Sequence, residues 1–293
     1  MHTPSPGGEH RQGEGLWSPA QRRRECGTLY VMGCKNSAMC GGGINSEGYM
    51  DYRKINYDEH ADIYSQYRNE SKRVISNIVS HAKETEIKNV LEIGCGTADY
   101  LYVLKKMMKF DAYGFDRSSE MLKNASIKNP GLMLTNGDAN DMFPYENSKF
   151  DLVFSINVIH YIDNLEQYFV ESYRTLNDKG LMLTVTVSID EMTENICRYF
   201  PEYGLSNSKS KGLVGRIVQV MSDIGFKNVH TTNSDYEYKM NEEDLKPFEN
   251  KAFGWLKLLS DKGFSEGIEL MRRDVSNGSC IGSENFTYIW GRK

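Results

Sequence analysis

The sequence predicts an α/β fold, a parallel sheet covered by helices on both sides. Three observations predict it. Short apolar runs recur along the chain, at NVLEIG (89–94), DAYGFD (111–116), LMLTNGD (132–138), FDLVFSI (150–156) and LMLTVTV (181–187). The stretches between them place apolar residues at helical spacing. The runs themselves are largely continuous and apolar, as strands buried on both faces require.

Each element has its own warrant. Helical periodicity covers 57–83, with Ile75, Ile78 and Val79 on one face. After the first strand, Leu101, Leu104 and Met108 share a helix face. The second strand ends in Asp116, and Ser118 or Ser119 then caps a helix with Glu120 in its first turn. Between the fourth and fifth strands, Leu165, Phe169, Ser172 and Leu176 fit a helix closed by Asn177-Asp178-Lys179-Gly180. Alternation lapses over 189–211, returns as a helix over 212–224 and a strand from Phe226, and lapses again over 240–282. That second insertion contains one helical stretch, 253–273. The chain closes in NFTYIWGRK, a strand by its β-branched and aromatic content.

Composition sets the boundaries. Residues 1–48 hold ten of the 26 glycines and three of the seven prolines and show no hydrophobic period, so a disordered tail is expected there. Residues 49–293 form the folded domain, and Met50 is a candidate natural translation start. The net charge of −5 supplies no positive field for nucleic acid. No apolar run approaches the ~20 residues of a membrane span, and the polar N-terminus lacks a signal core. The six cysteines contain no Cys-x-x-Cys pair and no histidine at ligand spacing, so no metal is expected, and free thiols point to the cytoplasm.

The glycine turn in NVLEIGCGTADY carries the functional signal. Gly94 and Gly96, with Asp116 22 residues after Gly94, partly match a dinucleotide fingerprint. The third glycine position holds Asp99, whose carboxylate disfavours a diphosphate. A sulfonium cofactor fits better. It needs close backbone approach without an anion cradle, it tolerates carboxylates such as Glu92 and Asp99, and its ribose diol donates to an acidic side chain such as Asp116.

These residues resemble the class I S-adenosylmethionine-dependent methyltransferases, in their small-molecule branch. The matching motifs are Glu92-Ile93-Gly94-Cys95-Gly96, Asp116-Arg117 in YGFDRSSEML, Gly137-Asp138-Ala139, and FDLVFSINVIHYI. The resemblance spans about 57–293. It implies a seven-stranded Rossmann-like sheet with strand 7 antiparallel between strands 5 and 6. It also implies a helical lid over the acceptor, made from 189–211 and 240–282.

It further implies S-adenosyl-L-methionine as cofactor, with Glu92, Gly94, Cys95, Gly96, Asp116, Arg117, Asp138, Ala139, Ser155 and Asn157 around it. Tyr57, Tyr64 and Arg68 belong to a segment like the one that folds over the cofactor. His160 and Tyr161 sit where the family lines the methyl-transfer face, and histidine is the usual neutral-pH base. Cys95 contributes small bulk. The implied reaction is methyl transfer to a small-molecule acceptor, giving S-adenosylhomocysteine. An RNA or protein methyltransferase of the same fold and a non-catalytic cofactor-binding protein stay open as alternatives.

Overall fold

The structure, a computed structural model of the 293-residue chain, describes residues 52–83, 86–187, 195–206 and 212–293. The expected tail at 1–48, Met50 and much of the first insertion lie outside the described residues.

Seven strands form the sheet: β1 (Asn89–Ile93), β2 (Asp111–Asp116), β3 (Met133–Asn136), β4 (Phe150–Ile156), β5 (Leu176–Val187), β6 (Lys227–Lys239) and β7 (Ile281–Arg292). Their order is β3-β2-β1-β4-β5-β7-β6. The first five pair in parallel, and β7 runs antiparallel to both β5 and β6. The seven-stranded Rossmann-like arrangement expected from the motifs is therefore present, including the antiparallel seventh strand.

Nine helices of the described residues concern us. They are α1 (Ala61–Tyr67), α2 (Lys72–Ala82), α3 (Asp99–Met108), α4 (Ser119–Lys128), α5 (Leu165–Thr175), α6 (Pro201–Ser206), α7 (Leu213–Ile224), α8 (Glu242–Glu249) and α9 (Asp261–Ser276). Strand alternation divides them between two layers. Val90, Ala112, Leu152 and Leu183 pack with Val74 and Ile78 of α2 and with Leu101 and Leu104 of α3. Leu91, Ile93, Val153 and Met182 point the other way, against Phe169 of α5 and Ile217 and Met221 of α7. Burial on both sides explains why these strands read as unbroken apolar runs.

Some boundaries differ from the sequence reading. The helical stretch 57–83 divides into α1 and α2, because Arg68 turns extended (φ −84°, ψ 128°) and Ser71 starts a new helix by accepting a hydrogen bond from Arg73 N. The stretch 253–273 divides as well. A 3₁₀ turn, Gly254–Leu258, ends before Ser260, which caps α9 by accepting from Gly263 N. Strand β5 begins five residues early, at Leu176, because Leu176 pairs with Phe150 across a register irregularity.

The second insertion builds a third core with the segment after β5. Tyr199, Phe200 and Tyr203 pack with Leu245, Phe248, Leu256 and Met271. Contact is close enough that a Cβ on Gly267 would overlap the Phe200 ring and Tyr199 O. This core lies beside the carboxyl ends of β1, β4 and β5, where open α/β sheets bind ligands.

Candidate functional site

The chain order reverses between β1 and β4, and a cavity of about 960 Å³ opens at that point. Its floor is the turn after β1. Gly94 N and Cys95 N both donate to Phe115 O, at 2.7 and 3.1 Å, which folds the turn onto the end of β2. Gly94 and Gly96 have φ of +64° and +53°, where glycine is unstrained. A Cβ on Gly94 would overlap Val158 Cγ2, so this turn also needs glycine for space.

Folding the turn back puts its amides against Asp116. Asp116 Oδ2 accepts from Gly96 N at 2.8 Å, and Oδ1 accepts from Ser118 N at 2.8 Å. Burial pushes this carboxyl above its ordinary range, while the two backbone N–H groups pull it down. Each oxygen keeps a lone pair for a further donor, so a cis-diol could bridge them.

The second wall is the loop after β3. Asp138 Oδ1 accepts from Asn140 N and from Asn140 Nδ2, both at 2.9 Å. The same Asn140 amide donates to Tyr161 O at 3.1 Å, and its Oδ1 accepts from Asp163 N at 2.8 Å. Asn140 thus ties the loop after β3 to the turn after β4.

That turn carries Asn157, His160 and Tyr161. Asn157 adopts φ +57°, and its buried Oδ1 has no hydrogen-bond partner. His160 Nε2 lies 3.2 Å from Thr186 Oγ1, and the ring stacks against Tyr52 at 6.0 Å. Burial lowers the His160 pKa to about 4, so the imidazole is neutral at ordinary pH. Tyr161 and Tyr57 share a 2.5 Å hydrogen bond between their hydroxyls, and burial raises both phenols well above their usual range.

The N-terminal segment closes one side. Asp58 Oδ1 accepts from Ser118 Oγ at 2.6 Å and from Glu120 N at 3.1 Å, and His60 Nε2 lies 3.0 Å from Ala252 O. Behind this strap, the Arg68 guanidinium sits over the rings of Tyr64 and Phe253, at 5.4 and 5.5 Å from their centroids.

Comparison with known proteins agrees with this geometry. Residues 91–184 match the family described as "Methyltransferase domain". A protein of Methanocaldococcus jannaschii is 26% identical over 196 residues, 65% of this chain and 72% of that one. The malonyl-[acyl-carrier protein] O-methyltransferase of Legionella pneumophila is 28% identical over 144 residues. That match spans 47% of this chain and 50% of the relative. Among solved structures, a methyltransferase from an antibiotic biosynthesis pathway of Anabaena variabilis has a TM-score of 0.61 at 19% identity, over 77% of this chain and 99% of that one. The phosphoethanolamine N-methyltransferase 2 of Haemonchus contortus, solved with S-adenosyl-L-methionine, has a TM-score of 0.52 at 18% identity, over 84% and 61%.

The sheet has the fold of these methyltransferase structures, and the match to the methyltransferase-domain family covers residues 91–184.

Eleven of the residues expected at the site line the cavity. They are Tyr64, Arg68, Gly94, Gly96, Asp116, Arg117, Asp138, Ala139, Asn157, His160 and Tyr161, and Tyr57 joins them. The other three lie one layer back. Glu92 is 2% exposed, and Ser155 is fully buried and accepts from Tyr168 OH at 2.9 Å. Cys95 packs toward Gly114, where an added Cβ would sit 2.9 Å from its sulfur. Burial raises both the Cys95 thiol and the Glu92 carboxyl, and Glu92 Oε2 has no partner.

Asp99 does not face the cavity. It accepts from Thr97 Oγ1, Lys128 Nζ and Asn129 Nδ2 at 2.7 to 3.1 Å, fixing the start of α3 against the end of α4. Its carboxylate is therefore structural, ion-paired with Lys128 at 3.0 Å and turned away from the bound-ligand position expected for it. Sequence reasoning missed Tyr52, Asn140, Tyr199, Trp255 and Glu284, all of which line the cavity. Only Asn140 left a local signal, as the second partner in an Asp-x-Asn turn.

Proposed function

We propose that this chain transfers the methyl group of S-adenosylmethionine to a small-molecule acceptor enclosed in the cavity at the carboxyl ends of β1, β4 and β5. The observation that carries the reading is the Asp116 carboxylate, held by Gly96 N and Ser118 N at the cavity wall. The residues fit this cofactor on their own chemistry. Asp116 offers two acceptor oxygens to a ribose diol, and Gly94 and Gly96 leave room for close backbone approach. Arg68, with no carboxylate in ion-pair range among the described residues, suits the methionine carboxylate. Asp138 and Ala139 stand on the side that would receive the adenine.

When bound, S-adenosylmethionine supplies a methyl group already activated by its positive sulfur. The protein's share is then mainly positioning. Holding two reactants in line and excluding water accounts for roughly 7–11 kcal/mol of barrier in oriented systems. Asn157, His160 and Tyr161 would form the face across which the acceptor approaches, and His160 stays neutral there. Residues 189–211 and 240–282 serve in this reading as the lid, with Tyr199, Tyr203 and Trp255 among their described cavity-lining side chains.

Two measurements test the reading. Calorimetric titration with S-adenosylmethionine and with NAD should give saturable heat for the first alone. Incubation with methyl-labelled cofactor should then label a metabolite extract and leave RNA and protein fractions unlabelled. Label in an acyl carrier protein fraction instead would transfer the acceptor class to that of the Legionella relative.

A further inference from the structure

We propose that the acceptor is an amine, read as a cation by aromatic and carboxylate groups on the lid side of the cavity. The inference rests on the small-molecule reading above and narrows it. Tyr199, Tyr203, Tyr238 and Trp255 line that side, together with Asp244 and Glu284. The Tyr203 and Trp255 rings meet 4.3 Å apart at 41°, so they form a corner and do not lie flat on each other. Ring faces carry negative electrostatic potential and attract cations, most strongly when desolvated. The cavity already holds one cation in this way, since Arg68 rests on Tyr64 and Phe253 without a carboxylate in range among the described residues.

The charged groups point the same way. Of the cationic side chains that line the cavity, Lys246 Nζ is paired with Glu243 Oε1 at 2.6 Å. Arg117 lies over the Tyr161 ring at 5.7 Å, on the cofactor side, and Arg68 is assigned above to the methionine carboxylate. Among the described residues, none of these is left on the lid side for an anionic acceptor. The carboxylates keep acceptor capacity beyond their present partners. Glu284 Oε2 accepts from Ser71 Oγ at 2.9 Å, with the Arg73 guanidinium at 3.8 Å, and Asp244 Oδ2 accepts from Asn241 N at 2.9 Å. Beside Glu284, the buried Asn285 Oδ1 has no hydrogen-bond partner and also lines the cavity. An N–H donor would satisfy it.

The charge flow suits such a wall. An ammonium acceptor first releases one N–H proton to solvent. The nitrogen lone pair then forms the N–C bond as the methyl–sulfur bond breaks, and that electron pair stays on sulfur. Positive charge thereby passes from sulfur to nitrogen, toward the rings and carboxylates. Interactions that strengthen along this path lower the barrier.

The test uses the full chain loaded with S-adenosylhomocysteine, whose binding is first shown by calorimetry. Choline, its neutral carbon isostere 3,3-dimethylbutan-1-ol, and phosphocholine are then titrated. The expected result is saturable choline binding at least tenfold tighter than the isostere, with phosphocholine weaker than choline. Trp255→Leu and Glu284→Gln should each shrink the preference for choline over the isostere while leaving S-adenosylhomocysteine affinity within twofold. Equal affinity for the two isosteres, absence of choline binding, or tighter phosphocholine would overturn the amine assignment. Absence of S-adenosylhomocysteine binding would instead strike the underlying methyltransferase reading.

Discussion

At the scale of single residues, Asp116 ties the glycine turn to the proposed ribose site. Its oxygens accept from Gly96 N and Ser118 N, and asparagine in its place would turn an NH₂ group toward one of those N–H donors. The variant Asp116→Asn therefore loses charge-assisted hydrogen bonds to the cofactor and loosens the turn that carries them. At about 1.5–3 kcal/mol for hydrogen bonds to charged groups, S-adenosylmethionine affinity should fall roughly 10- to 150-fold. Calorimetry reads this directly, and a circular dichroism melt near that of wild type separates it from unfolding. His160 gives a second expectation. Its pKa lies near 4 because burial disfavours the imidazolium, so it does not change charge between pH 5.5 and 8. The profile of kcat/KM should then lack an inflection near pH 6.5 that depends on His160. An inflection abolished by His160→Gln would show that the ring is wetter and more basic than its surroundings imply.

At the scale of elements, the sheet was legible and the helix boundaries were less so. Strands β1, β2, β4 and β5 are buried on both faces, so their apolar runs are nearly uninterrupted. Helix breaks at Arg68 and Ser260 left weaker traces, because apolar periodicity continues across both and only a serine marks each new start. Strand β6 was placed at its start, yet its pattern is polar on both faces beyond Val229, since it is an edge strand paired on one side only. Cavity residues such as Gly94, Asp116 and Asp138 sit at strand ends and could be found by motif. Cavity residues such as Tyr199 and Trp255 meet only through tertiary packing, which no local pattern encodes.

Ser260 belongs to this scale. It accepts from Gly263 N at 3.0 Å and donates to Glu202 Oε1 at 2.5 Å, joining α9 to α6. The variant Ser260→Ala removes a helix cap worth about 0.5–2 kcal/mol and leaves Glu202 with one partner fewer. The expected readout is a lower Tm together with faster proteolysis within 240–282, with S-adenosylmethionine affinity little changed.

At the scale of the whole molecule, buried ionisable groups make stability depend on pH in opposing ways. Burial raises the pKa of Glu92 and Asp116, so the folded state binds more protons than the unfolded one above their ordinary values. Their contribution is present in acid and is lost as pH rises through the folded pKa. His60 and His160 act oppositely. Their lowered values mean the folded state binds fewer protons below pH 6.5, so stability rises with pH across that window. A wild-type melt alone would therefore show a compromise between the two. Glu92 can be isolated by Glu92→Gln, because it is 2% exposed, lies behind the cavity wall and has one oxygen without a partner. Glutamine keeps its shape and removes the cost of ionising it. The difference in stability between Glu92→Gln and wild type should be small near pH 4.5, where the unfolded carboxyl is itself half protonated. It should grow in favour of the variant as pH rises toward 8, to about 1–3 kcal/mol. Denaturant melts of the cofactor-free protein at pH 5, 6.5 and 8 measure this difference directly. A difference that does not change with pH would mean that Glu92 is charged in the folded protein and that its environment supplies a partner for the charge.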